Sequence, residues 1–133
     1  MHSPQPIPVP LHHHRIVVID GDPAVRDSLA TMLALEDQTV TTYATAAAFI
    51  RDLDDRPIDC LICEADLPDR SGLDVFLLLR QRHPETRFAL LMSRKDPQLV
   101  ARAQELGILD VFSKPLVHRS LLDFVTRSDV TAR

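Results

Sequence analysis

Along the chain, short unbroken apolar runs alternate with stretches in which apolar residues recur every three or four positions. Arg15-Ile-Val-Val-Ile19 is a run of the first kind. A continuous β-branched run suits a strand buried on both faces, because both sides of its pleat must then be apolar. Asp22-Pro23 follows as a helix-start signal. The aspartate can accept a hydrogen bond from an unpaired first-turn N–H, and proline has no N–H to leave unpaired there. Val25, Leu29 and Leu33 then fall on one side of a helix. Gln38 to Tyr43 predicts a second strand, and about Thr45 to Leu53 a second helix with Ala47, Ile50 and Leu53 along one side. Ile58 to Cys63 predicts a third strand, ending in the acidic turn Glu64-Ala-Asp-Leu-Pro-Asp69. Ser71 with Asp74 resembles a capping box and opens a helix to about Arg82. Arg87 to Met92 reads as a fourth strand, and Asp96-Pro97 opens a helix that Gly107 closes. Leu109 to Ser113 predicts a fifth, short strand, and Leu116 to Arg127 a last helix.

Five strand–helix repeats predict a parallel sheet covered by helices on both faces, because each crossover must return the chain to the same end of the sheet. Ligands and chemistry in such folds gather beyond the carboxyl ends of the strands. The residues there are Asp20 to Asp22, Glu64, Ser93 and Lys114. An acidic cluster with a hydroxyl and a lysine is apparatus for handling a phosphoryl group on a carboxylate.

Composition narrows this picture. The 133 residues fit one domain, and a 45% apolar share supplies a core without a disulfide or structural metal. A net charge of -4 offers no basic field for nucleic-acid phosphates, so no direct nucleic-acid binding is expected. The apolar runs are too short and too often interrupted by charge for a membrane span, and no signal peptide is visible. A cytoplasmic location without membrane contact is therefore expected. Residues 1–14, with Pro4, Pro6, Pro8 and Pro10, read as a proline-rich flexible tail. Residues 15–128 read as the folded domain and 129–133 as a tail or the start of a linker. His12-His13-His14 is read as part of the solvated tail rather than as a weak metal site. Cys60 and Cys63 form a C-x-x-C, but a redox pair needs a helix N-terminus to stabilise its thiolate. Three apart on a strand, these sulfurs would point to opposite faces, which predicts buried structural thiols.

Three segments are specific together: Val18-Ile-Asp-Gly-Asp-Pro-Ala-Val-Arg-Asp-Ser-Leu29, Leu67-Pro-Asp-Arg-Ser-Gly-Leu73 and Ser113-Lys-Pro115. They resemble the receiver domain of bacterial two-component response regulators, particularly the type coupled to LuxR-like DNA-binding domains, over about Arg15 to Val125. The resemblance implies an α/β fold, a doubly wound five-stranded parallel sheet of the flavodoxin or chemotaxis-regulator type. It also implies phosphorelay signalling through an aspartate four residues before the loop proline; counting back from Pro68 reaches Glu64. Glutamate's extra methylene moves the carboxylate by roughly an ångström, a displacement that can cost about a hundredfold where attack geometry matters. The family places two adjacent acids after the first strand, the second on Mg²⁺, whereas here Asp20 is followed by Gly21. That leaves Asp20 and Glu64 as the implied metal set, so Mg²⁺ is expected to bind weakly and not to be required.

The same resemblance assigns the rest of the pocket. Asp22 and Asp66 join Asp20 in an acidic pocket, or Asp22 serves as a helix cap and Asp66 as a solvated loop acid. Ser93 matches the hydroxyl that grips the phosphoryl group. Arg94 replaces a small residue and would either pair with Glu64 across the pocket or reach solvent. Val111 stands where a mobile Phe or Tyr is common, and a stiff valine cannot make that swing. Lys114, before Pro115, matches the lysine that contacts acceptor and phosphate. A Lys114–Glu64 ion pair would stand in for that contact or simply neutralise charge.

The departures at Gly21, Glu64, Arg94 and Val111 predict an atypical receiver, or pseudo-receiver: not an enzyme, but a phosphorylation-independent module working by protein contact. The family resemblance places its contact face on the fourth helix, fifth strand and fifth helix, with Leu99, Arg102, Gln104, Val117, Arg119 and Leu122 as candidates. Partners implied are a histidine kinase, a DNA-binding output domain, another regulator or a second copy. A variant treats Glu64 as a constitutive phosphomimic with partial mimicry, one charge against a phosphoryl group's tetrahedral oxygens. A rival takes Asp20-Gly-Asp22 as the D-x-D of a haloacid-dehalogenase-like phosphohydrolase, with Asp20 as nucleophile and Asp22 as general acid. The absence of a C-terminal acidic pair and of a cap domain counts against it.

Overall fold

In the computed structural model, which describes residues 14–36 and 38–131, the apolar runs become one five-stranded sheet. Its strands are β1 (Arg15–Ile19), β2 (Thr39–Tyr43), β3 (Cys60–Glu64), β4 (Arg87–Met92) and β5 (Asp110–Ser113). The helices between and after them are α1 (Pro23–Ala34), α2 (Ala46–Asp52), α3 (Gly72–Arg82), α4 (Pro97–Leu106) and α5 (His118–Thr131). Every neighbouring pair of strands is parallel, in the order β2-β1-β3-β4-β5. The doubly wound architecture expected from the five repeats is therefore the one found.

Strand alternation sorts the core into two layers. Val17, Ile19, Leu61, Cys63, Phe88 and Leu90 face Phe49 of α2, Leu79 of α3 and Ala103 of α4. Ile16, Val18, Cys60, Ile62, Ala89 and Leu91 face Leu29 and Leu33 of α1 and Leu121 and Phe124 of α5. Phe49 and Phe124 are the largest wholly buried side chains, one in each layer. Truncating either to alanine would cost about 3–5 kcal/mol. The cysteines diverge as their strand spacing requires: each is buried, neither is disulfide-bonded, and they lie in opposite layers.

Local signals place the helix starts. Asp22 accepts the Ala24 N–H at 2.9 Å, Ser71 the Leu73 N–H at 3.0 Å and Asp96 the Leu99 N–H at 3.1 Å. Gly107 ends α4 in the left-handed region, at φ 101°. Four expectations need correction. The last helix, α5, starts two residues later and ends four residues later than read, at His118 and Thr131, so it runs into the span read as tail. The buried side of α2 runs through Ala46 and Phe49, not Ala47, because the Phe49 ring turns inward to meet Tyr43 edge to face at 5.7 Å. β3 begins two residues later than its apolar run, at Cys60. Ahead of it, the Asp59 carboxylate accepts the Arg15 N–H at 2.7 Å. His14 is not solvated tail: it is buried, its N–H donates to Gln38 Oε1 at 2.6 Å, and its carbonyl accepts the Thr39 N–H at 3.1 Å. His12, His13 and the prolines before them lie outside the described residues.

Candidate functional site

Chain order reverses between β1 and β3: β2 lies on one side of β1, and β3, β4 and β5 on the other. At such a switch point the loops leaving two adjacent strands part to opposite faces and open a crevice at their carboxyl ends. Ile19 is paired with Cys63, so Asp20 and Glu64 leave the sheet side by side. Glu64 is in register with Leu91, and the Lys114 N–H donates to the Met92 carbonyl at 2.8 Å. These pairings bring one lysine over two carboxylates. The Lys114–Pro115 peptide bond is cis.

Lys114 Nζ stands 2.8 Å from Asp20 Oδ2 and donates to Glu64 Oε2 at 3.3 Å. The other oxygen of Glu64, Oε1, accepts the Gly21 N–H at 3.0 Å, so both of its oxygens are engaged. Asp20 is wholly buried. Its Oδ1 accepts the Asp22 N–H at 2.9 Å, and its backbone carbonyl accepts from Arg26 Nη1 at 2.8 Å. Burial alone pulls the Lys114 ammonium downward. The hydrogen bond and charge of Asp20, with the charge of Glu64, outweigh it and hold the group above its ordinary value.

Two glycines shape this crevice. A Cβ at Gly21 would lie 3.2 Å and 3.3 Å from the Cγ and Cδ of Pro68, so the loop after β3 closes down where a larger residue would stand. A Cβ at Gly72 would collide with the Glu64 carbonyl oxygen, so only glycine lets α3 start against the end of β3. There the Gly72 N–H donates to the Ala65 carbonyl at 2.8 Å. Among the described residues, no group of three or more His, Cys, Asp or Glu side chains is placed to hold a metal ion. Asp20 and Glu64 are bridged by Lys114, and Gly21 offers no carboxylate. The donor set does not fit a tightly held divalent cation.

The remaining sequence candidates separate. Asp22 is exposed and its carboxylate caps α1, so it does not extend the acidic pocket. Asp66 is exposed too, its backbone bridged to Ser71. Ser93 and Arg94 are exposed after β4, and Arg94 makes no ion pair with Glu64. Val111 is half-buried against the α2–α3–α4 layer. Burial first, then the charges of Glu64, Asp20 and Asp69, push the Cys63 thiol well above its ordinary value, which leaves it a poor nucleophile.

Two contributors had no clear sequence signal. Arg26, one turn into α1, lies inside the Val18–Leu29 segment but carried no assigned role. Asp69 was visible in the acidic turn and in the Leu67–Leu73 segment, again without a role. Its carboxylate accepts the Ala46 and Ala47 N–H groups at 3.0 and 2.9 Å, tying the loop after β3 to the start of α2. Burial opposes ionisation of Asp69, but these two backbone donors prevail and its carboxyl lies below the ordinary value.

Comparison with known proteins agrees with this geometry. A family model described as the response regulator receiver domain matches residues 16–126. Transcriptional regulatory protein FixJ of Azorhizobium caulinodans is 31% identical over 125 residues, covering 92% of this chain and 56% of that one. Response regulator protein TodT of Pseudomonas putida is 27% identical over 107 residues, covering 80% of this chain and 47% of its own. Among solved structures, the response regulator DrrB of Thermotoga maritima, an OmpR/PhoB homolog, superposes with a TM-score of 0.79 at 25% identity, covering 92% of this chain and 55% of that one. The chain spans about half the length of the curated relatives it matches. It belongs to the response regulator receiver domain family.

Proposed function

We propose that this chain is an atypical receiver that signals without accepting a phosphoryl group. The observation that carries this reading is the engagement of Glu64: Lys114 holds one carboxylate oxygen and the Gly21 N–H the other. An acceptor must present a free oxygen for in-line attack, and breaking either contact next to the buried Asp20 is costly. Mg²⁺ is not required, because Lys114 supplies the positive charge between the two carboxylates. The domain is a binding module rather than an enzyme. Asp22 is occupied as a helix cap and Asp20 is enclosed, which speaks against a D-x-D phosphohydrolase. Among the described residues, no helix is long and apolar enough to cross a membrane, and we place the domain in the cytoplasm.

Its output would be contact through the face of α4, β5 and α5. Arg102, Gln104, Arg119 and Val117, the last 62% exposed, are available there, while Leu99 and Leu122 are half-buried. A LuxR-type DNA-binding output domain, a histidine kinase, another regulator or a second copy is the partner class. Incubation with radiolabelled acetyl phosphate and Mg²⁺ should leave the protein unlabelled. Stoichiometric, base-labile label on Glu64 would overturn the proposal. The 3.3 Å Lys114–Glu64 contact also favours a second reading, in which Glu64 mimics the phosphorylated acceptor. In that case Glu64→Gln should change partner affinity; unchanged affinity would remove it.

A further inference from the structure

At the other end of the sheet, before β4 and β5, a cavity of about 310 Å³ opens beside α3 and the C-terminal cap of α4. Phe76 and Phe88 form part of its wall and meet edge to face, their ring centroids 5.1 Å apart. Leu109 on its rim is 87% exposed, a costly position for a leucine. Two arginines and one aspartate line the same space. Arg87 is neutralised: Nη2 lies 3.4 Å from Asp110 Oδ2, and its guanidinium carbon sits 4.8 Å over the Phe124 ring. Arg80 is held as firmly, with Nη1 donating to the Leu106 carbonyl at 2.8 Å and its guanidinium carbon 5.2 Å over the Phe76 ring. Among the described residues, however, no carboxylate pairs with Arg80.

A positioned guanidinium with unused donors, beside an apolar wall, matches one ligand chemistry well. Its fork fits a carboxylate, and the cavity is at the small end of ligand sites, roughly 300–1,000 Å³. We propose that this cavity binds a small apolar monocarboxylate, with the carboxylate on Arg80 and the apolar part against Phe76, Phe88 and Leu109. The site is not part of the Asp20–Glu64–Lys114 crevice and shares no residue with it.

Binding there would reach the rest of the fold through Arg80, which ties α3 to the last turn of α4. A carboxylate that shares the guanidinium alters how firmly that turn is held. A receiver without phosphoryl transfer would thereby gain another input. This regulatory role rests on the reading of Glu64 given above; the binding itself does not.

The test titrates the ¹⁵N-labelled 133-residue chain with benzoate, hexanoate and the neutral isostere benzamide, following backbone amide shifts. Benzoate or hexanoate should give saturable shifts confined to residues 76–88 and 107–110, and the stronger of the two identifies an aryl or an alkyl ligand. Benzamide and the Arg80→Gln variant should each weaken binding about tenfold or more, with Arg80→Lys retaining part of it. Absence of saturable shifts with both acids would overturn the proposal. So would equal binding of benzamide, or binding undiminished in a folded Arg80→Gln protein. The acetyl phosphate assay reads Glu64 alone, so either reading can fail without the other.

Discussion

The two ends of the sheet handle charge in opposite ways. At the carboxyl ends of β1 and β3, two carboxylates, Asp20 wholly buried and Glu64 half-buried, meet one lysine, and each of their side-chain oxygens is hydrogen-bonded or ion-paired. At the amino ends of β4 and β5, a half-buried Arg87–Asp110 pair lies beside an exposed Arg80, whose guanidinium keeps donors to spare. In the first arrangement a ligand must break an internal bond beside the wholly buried Asp20. The second is open, because a ligand adds a bond and removes none. Charge balance and burial, more than the identity of any one residue, separate a structural cluster from a receptive one.

The sharpest way to break this comparison is to remove the lysine. Lys114→Met should cost about 3–5 kcal/mol in chemical denaturation, because a wholly buried Asp20 loses its counter-charge. A loss under about 1 kcal/mol would mean that water compensates the crevice, and the contrast would collapse. The same difference should depend on pH. Because the folded-state value of Lys114 is raised, its contribution is fully present below the ordinary lysine value of 10.5 and fades as pH rises through the folded value. Wild-type and Lys114→Met stabilities should therefore converge in alkali.

Smaller effects sharpen the picture. Gly72→Ala should cost about 2–3 kcal/mol, since the new methyl meets the Glu64 carbonyl and either α3 or the end of β3 must move. A neutral result in a thermal melt would show that this junction is loose. Asp69→Ala should cost about 1 kcal/mol by leaving the first N–H groups of α2 uncapped, and hydrogen exchange at Ala46 and Ala47 should accelerate. Arg80→Gln should fall within about 0.5 kcal/mol of wild type, as expected for an exposed side chain not needed for charge balance. A large loss there would make Arg80 a structural cap of α4 rather than a ligand group.

How much of this was legible beforehand depends on the range of each signal. The Asp22-Pro23 and Asp96-Pro97 pairs are local, and both cap the helices they announced. Periodicity placed Cys60 and Cys63 on opposite faces, where they are found. Apolar runs overstate strand starts, as at Ile58, because a residue can be buried before backbone pairing begins. The phase of α2 went wrong because seven residues make only two turns, too few for alanines to reveal which side faces inward. Asp22 and Asp66 could not be sorted by sequence, since the same acid can cap, solvate or line a pocket.

By itself, the sequence determined the five strand–helix units, the parallel sheet they imply and the residues left at the strand ends, because these follow from period, caps and crossover length. It also carried Glu64 four residues before Pro68 and Gly21 after Asp20. Only the tertiary structure decided that Glu64 reaches the Gly21 amide 43 residues away and Lys114 50 residues away. It alone showed that Pro68 closes over Gly21, that Asp69 caps a helix 23 residues earlier, and that Arg80 faces a cavity with no counter-ion among the described residues. These contacts join segments whose spacing along the chain carries no period. They exist because sheet register and helix packing bring the segments together, and burial then determines what each charge must do.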